Sequence, residues 1–412
     1  MLIAPYLGVS KTPCTQTIIN WVNRLSLSRM KHYLSPIDYQ LGCPLFSGGF
    51  ILILDASIGL GQGKIMTVLA LDIKHHLLNR GAPALKDSQC LAVSVASSWT
   101  GETIADLLQK IIAITGTPVA YLKDGGTDLG KAVRLLNEQG HSSLSIDDVS
   151  HFIANLLKHE YQKHPQFETF TQACGKTSKM LKQTLLACLA PPKVSTKARF
   201  MNIHRLVKWA SQLLEHSPRG RAKKNSLLEK LRQSMNQLPQ CKTFINDFLQ
   251  DVAPLIECQK ILKTKGLSGK SVDVCQSIIK TIPNNYIRTG FMKWLARNLI
   301  IAEQLGLYDV GMPISSDCIE SLFGVAKHHG TGQIKDANRI AQRIPALCGK
   351  LTRQDAENVL NISVKEQKER VGTMPSLIRQ RRKVLSSKGC IESIKLDDEN
   401  PNLELIIGSK TG

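Results

Sequence analysis

From residue 50 the apolar pattern is continuous: Phe50, Ile51, Leu52, Ile53 and Leu54 run without a break into Asp55. A run of this kind, ended by turn-formers, predicts a strand over 51–57 that is buried on both faces of a sheet. Similar runs predict strands over 65–73 and 89–96. Apolar positions then recur at helical spacing over 99–115, where Ser98 or Thr100 can cap the helix. A strand over 118–123, a helix over 127–139, a strand over 142–146 and a helix over 149–160 follow. Three strands joined by turns and two joined through helices predict a mixed five-stranded α/β sheet with helices on its faces.

Before this pattern, Ile18, Trp21, Val22 and Leu25 mark an amphipathic helix over 13–25. Two readings of it stand: the recognition helix of an incomplete helix-turn-helix segment over 1–45, or a helix docked on the next domain. Beyond the sheet the spacing becomes helical, with no convincing strand over 158–312. A further helix opens near Gly311, and helices continue to about 385. The chain therefore divides into the segment 1–45, the first part of a core over 46–157 and a helical insertion over 158–312. The second part of the core at 313–345, C-terminal helices over 346–385 and a polar tail over 386–412 complete it. The tail is expected to lack order except where the apolar residues Leu405, Ile406 and Ile407 could dock.

Charge changes this picture more than composition does. An apolar content of 42% is ordinary, but 53 Lys and Arg against 33 Asp and Glu leave a net charge of +20. Such a balance makes nucleic acid the first candidate partner. The insertion carries 25 Lys and Arg against 10 Asp and Glu, and residues 169–214 hold no acid at all. Surfaces that are merely solvated mix both signs. No apolar run reaches the ~18 residues of a transmembrane helix, and the first residues lack the basic start of a signal peptide. The 11 cysteines form no C-x-x-C pair, which argues against zinc ribbons and fits buried thiols in a reducing cytosol.

The candidate chemistry sits at strand ends. Asp55 and Asp124 each close a predicted strand, on the edge of an α/β sheet where ligands bind. Two adjacent carboxylates repel unless a cation neutralises them, and oxygen ligands without His or Cys suit Mg²⁺ or Mn²⁺. Gly125 and Gly126 leave room beside Asp124, although Asp-Gly-Gly is also an ordinary turn sequence. Glu320, on a helix whose residues Ile319, Leu322, Phe323 and Ala326 face inward, is the third proposed ligand. Lys327 lies two turns further along the same polar face, placed to contact a phosphate. The competing reading makes Asp317 the N-cap and Glu320 its capping-box partner. Asp148, His151 and Asn155 share a helical face and are candidates for orienting a ligand; a capping aspartate and a half-buried histidine are the structural alternative. The stretch from Gly59 to Lys64 lacks both the spacing of a nucleotide-binding loop and the helix that should follow it, so it reads as a hairpin turn.

Taken in order, Leu-Asp55, Lys-Asp124-Gly-Gly, a helical insertion and Ser-Asp-Cys-Ile-Glu320-Ser-Leu-Phe resemble a DDE transposase with a ribonuclease H-like core. The Asp148-x-x-His151-x-x-x-Asn155 segment is similar to a motif that precedes the insertion in Mutator-like and hAT-like transposases. Lys327 matches a lysine of bacterial insertion-sequence groups, whereas Pro313 and Ser316 stand where some of those groups carry Tyr and Arg. The resemblance covers about residues 15–345. It implies phosphoryl transfer assisted by two Mg²⁺ or Mn²⁺ ions on Asp55, Asp124 and Glu320, cleaving DNA at element ends and joining those ends to target DNA. It also implies a homodimer on double-stranded DNA and a cytoplasmic, nucleoid-associated location. Lys176, Lys179, Lys182, Lys197, Arg199 and Lys327 are the expected DNA contacts, with Asp148, His151 and Asn155 around the metal ligands. Two other readings stand beside it: a DNA-binding protein descended from a transposase without catalysis, and a ribonuclease H-like repair or recombination nuclease.

Overall fold

The computed structural model describes residues 13–33, 49–56, 63–79, 82–194, 199–216, 220–328, 337–363, 365–366 and 403–405. Along the chain these form α1 (Thr15–Tyr33), β1 (Phe50–Ala56), β2 (Lys64–Asp72), α2 (Ile73–Asn79), β3 (Ser88–Ala96), α3 (Gly101–Thr115), β4 (Ala120–Lys123), α4 (Thr127–Glu138) and β5 (Leu144–Asp147). There follow α5 (Val149–Tyr161), α6 (Phe167–Leu181), α7 (Arg199–Glu215), α8 (Leu227–Met235), α9 (Lys242–Lys265), α10 (Gly269–Ile279) and α11 (Asn285–Gln304). Last come α12 (Asp317–His328), α13 (Ala337–Ala341), α14 (Arg353–Leu360) and β6 (Leu403–Leu405). Two compact units result, one of residues up to Asp148 together with those from Pro313, the other Val149–Met312.

In the first unit the strands lie in the order β5-β4-β1-β2-β3-β6. β1 is antiparallel to β2 and parallel to β4, β2 is antiparallel to β3, and β4 is parallel to β5. The five strands expected from the apolar pattern, with only β2 reversed against β1, have the order and directions of the ribonuclease H-like fold. The tail expected over 386–412 adds something the pattern did not single out as a strand. Leu403–Leu405 pairs antiparallel with β3 and extends the sheet by a sixth strand. The remainder of that tail, residues 367–385 and residues 57–62, where most of the expected hairpin turn falls, lie outside the described residues.

β1 is buried because both its faces are covered. Ile51, Leu52, Ile53 and Leu54 are all fully inaccessible, and each such side chain contributes ~1.5–3 kcal/mol of burial. On one face Leu52, Leu54, Met66, Val68 and Tyr121 pack against Ile104, Leu108 and Ile111 of α3 and Leu129, Val133 and Leu136 of α4. Thr100 caps α3 by accepting from the amide of Thr103, and Gly116 ends it at φ +81°. Side chains alternate along a strand, so Ile51, Ile53 and Asp55 belong to the other face. α12 lies against β1, and its buried residues Ile319, Leu322 and Phe323 stand outside the α3/α4 cluster. It therefore covers the face that carries Asp55.

α1 is a docking helix in this structure, and it runs past the expected end at 25. Leu25 packs on Ala356 and Val359 of α14. Arg29, only 2% exposed, binds both carboxylate oxygens of Asp355 at 3.1 Å. It also donates to the carbonyls of Ala346, Cys348 and Lys350.

The second unit is helical, as its spacing predicts. Its centre is aromatic: Phe244 lies 5.2 Å from Phe170 and 5.9 Å from both Phe167 and Tyr161. The buried carboxylate of Asp251 accepts from the Tyr161 hydroxyl at 2.5 Å and from the Asn284 amide at 3.2 Å. Burial, with that hydrogen bond and the neighbouring carboxylates behind it, pushes the Tyr161 phenol well above its usual range. Trp294 is core, stacked on Phe152 and Phe291.

Candidate active site

The parallel register of β1 and β4 pairs Leu54 with Lys123. Asp55 is the next residue of β1 and Asp124 the first residue beyond β4, so the two stand at neighbouring positions of the sheet edge, where strands lie ~4.8 Å apart. Both are half-buried. They stand at the carboxyl ends of their strands, which is where ligands bind in such sheets.

The turn after β4 shapes this edge. Gly126 donates its amide to Asp124 Oδ1 at 2.9 Å, so the turn expected of Asp-Gly-Gly is present and directs one carboxylate oxygen. A Cβ at position 126 would meet that oxygen at 2.7 Å. A larger residue here would make the Asp124 carboxylate turn aside, while the φ of −65° is open to any residue. Lys123, one residue earlier, points to the opposite face and pairs with Asp147 at 2.6 Å while only 5% exposed. No local pattern in the chain marks this buried ion pair. It settles the lysine's charge on β5, away from the Asp55–Asp124 face.

Glu320 is exposed on the first turns of α12. The capping-box alternative fails on position. The Glu320 amide donates to the Ser316 carbonyl at 3.3 Å, which makes Ser316 the N-cap and puts Glu320 at the fourth helical position, one beyond the box. Asp317 is the first helical residue. The side chain of Lys327 lies outside the described residues.

Asp148 is what ties this helix to the sheet. It is 1% exposed and follows β5 directly, with its amide on the Lys123 carbonyl at 2.9 Å. Its Oδ2 accepts from the Ser316 amide at 2.6 Å and the Ser316 hydroxyl at 3.1 Å. A carboxylate at a helix N-terminus is favoured by the partial positive charge of the free amides. Asp148 thus precedes α5 and serves α12. His151, half-buried, and Asn155, exposed, lie on α5 in the other unit.

Cys318, on the first turn of α12, is buried, and burial pushes its thiol up to about 12. Among the described residues no group of three His, Cys, Asp or Glu side chains is gathered closely enough to hold a metal ion. The structure therefore brings Asp55 and Asp124 together as neighbours and sets Glu320 on a helix against β1. Carboxylate oxygens are the donors a hard divalent cation takes, and Asp55 and Asp124 offer them from half-buried positions.

In the second unit, Lys176, Lys179 and Lys182 form an exposed stripe at three-residue spacing, opposite the buried residues Phe170, Ala173, Thr177 and Leu181 of α6. Lys197 and the side chain of Arg199 lie outside the described residues. No helix among the described residues is long and apolar enough to cross a membrane.

No family model matches the chain, and no curated protein matches it. Among solved structures the chain is similar to the Drosophila P element transposase strand transfer complex, with a TM-score of 0.34 and 13% identity over 84% of this chain and 94% of that one. Strand order and direction define the fold.

Proposed function

We propose that the protein is a DDE-type transposase, a polynucleotidyl transferase that cleaves DNA at element ends and joins those ends to target DNA. The observation that carries this reading is the β1–β4 register, which sets Asp55 beside Asp124 at the carboxyl edge of a ribonuclease H-like sheet. Asp55, Asp124 and Glu320 would hold the Mg²⁺ or Mn²⁺ ions, which when bound supply charge neutralisation at the reacting phosphate. The chain's own part is to orient. Gly126 directs one oxygen of Asp124, and Asp148 anchors the helix that brings Glu320. The exposed lysines of α6 would engage the DNA backbone, in keeping with the +20 charge.

The test uses DNA flanking the coding region, placed on a plasmid as substrate with Mg²⁺. Cleavage by the natural protein and its loss in Asp55→Asn, Asp124→Asn and Glu320→Gln support the reading. Cleavage by Asp55→Asn at the natural rate would overturn it. Cleavage without joining to a second DNA would indicate a repair-type nuclease instead. One observation favours a non-catalytic DNA-binding protein of the same fold: no three-carboxylate group is gathered among the described residues. That reading predicts salt-sensitive binding with no cleavage under any divalent cation.

A further inference from the structure

Thr67 is the residue of β2 directly across from Asp55 in the antiparallel register. It is fully buried, and its hydroxyl makes no hydrogen bond. A buried hydroxyl without a partner destabilises a fold, and each instance in a native structure asks for an explanation. Valine would fill nearly the same space without that cost.

The surroundings narrow the explanation. Residues directly opposite on neighbouring strands share a face, with Cβ atoms about 5 Å apart. The two such neighbours of Thr67 are Asp55 on β1 and Val93 on β3. Along its own strand the same face carries Ile65 and Leu69, both inaccessible. Asp55 is therefore the one acceptor side chain among these neighbours, directly across from the hydroxyl. Carboxylates that ligate a cation are themselves held by hydrogen bonds from a surrounding layer of residues, and loss of such a bond costs 10–100-fold in metal affinity.

We propose that Thr67 is a positioning residue for Asp55, its hydroxyl donating to the Asp55 carboxylate when that carboxylate ligates a divalent cation. The hydrogen bond fixes which carboxylate oxygen faces the ion. This rests on the reading of Asp55 as a metal ligand.

The experiment uses the full chain and Mn²⁺ alone, with bound Mn²⁺ followed by electron paramagnetic resonance and thermal unfolding recorded in a chelator. Thr67→Val is expected to unfold in chelator at the natural temperature or above it, because an orphaned hydroxyl has been removed. Its Mn²⁺ affinity is expected to fall by about tenfold. Thr67→Ser, which keeps the hydroxyl, is expected to restore binding, and Asp55→Asn to abolish it. Natural Mn²⁺ affinity in Thr67→Val, with binding lost in Asp55→Asn, would overturn the role of Thr67 and leave the metal site standing. Natural affinity in Asp55→Asn would overturn both. A marked fall in chelator stability for Thr67→Val, or weak binding by Thr67→Ser, would show that the side chain serves the fold and overturn the proposal.

Discussion

Asp148 and Ser316 are 168 positions apart in the chain, yet the carboxylate of the first accepts both the amide and the hydroxyl of the second, at 2.6 and 3.1 Å. The contact joins the carboxyl end of β5 to the N-terminus of α12. The buried Asp148 side chain thus holds the N-terminus of a helix whose apolar residues Ile319, Leu322 and Phe323 are themselves buried. The Asp148→Ala variant leaves the Ser316 amide and hydroxyl without their partner, at a cost of about 2–3 kcal/mol. Ser316→Ala removes only the hydroxyl and is expected to cost about 1 kcal/mol. Urea unfolding measures both. Under the proposed function both variants also lose DNA cleavage, Asp148→Ala the more.

Arg29 and Asp355 anchor α1 to α14, and their link gives a pH-dependent stability. Burial acts to raise the Asp355 carboxyl, but the bonds from Arg29 and Thr352 outweigh it and hold the group below its ordinary value. A depressed carboxyl contributes stability that is complete above the ordinary pKa of ~3.9 and is lost as pH falls through the folded value. Arg29→Met strands the Asp355 charge and the carbonyls that Arg29 binds, and is expected to cost about 3–5 kcal/mol at pH 7. The difference from the natural protein should shrink in acid. Thermal unfolding between pH 7 and pH 2 checks the sign.

A Cβ at Gly126 would meet the Asp124 oxygen that the Gly126 amide binds. The Gly126→Ala change places a methyl against Asp124 Oδ1, so the carboxylate must turn. Stability is expected to drop by about 1 kcal/mol, within the usual range for surface turns. Under the proposed function, Mn²⁺ affinity and DNA cleavage fall far more than that figure implies. Comparing unfolding with Mn²⁺ titration separates the two effects.

Lys176, Lys179 and Lys182 lie in a stretch of 46 residues, 169–214, that carries no acid. If they meet DNA phosphates, replacing all three by Ala lowers the salt dependence of binding by about 0.9 for each phosphate that no longer has a lysine on it. Fluorescence anisotropy against salt concentration measures the slope. An unchanged slope would place the DNA elsewhere.

Much of the sheet is legible in the sequence because burial on two faces writes a continuous apolar run. The strand expected over 51–57 is found at Phe50–Ala56, and the expected end of the strand over 118–123 is the observed end of β4, so Asp55 and Asp124 are legible as strand-end residues without any structure. What escapes is pairing across long separations. Leu403–Leu405 is three residues long, and nothing local marks it for β3. Arg29 reads as a polar residue near a helix end until Asp355, 326 positions later, is beside it. Asp148 carries the spacing of a helix cap, and only the return of the chain at Ser316 shows which helix it serves. Thr67 has the composition of any strand residue; register alone places it opposite Asp55.

The position of Mn²⁺ in crystals of the full chain, found by its anomalous scattering, decides whether the three carboxylates act together. An ion held by Asp55 and Asp124, with Glu320 drawn to it, is expected, and no such ion in Asp55→Asn. Mn²⁺ absent from that edge, or bound there with Glu320 held away from it, would contradict the triad.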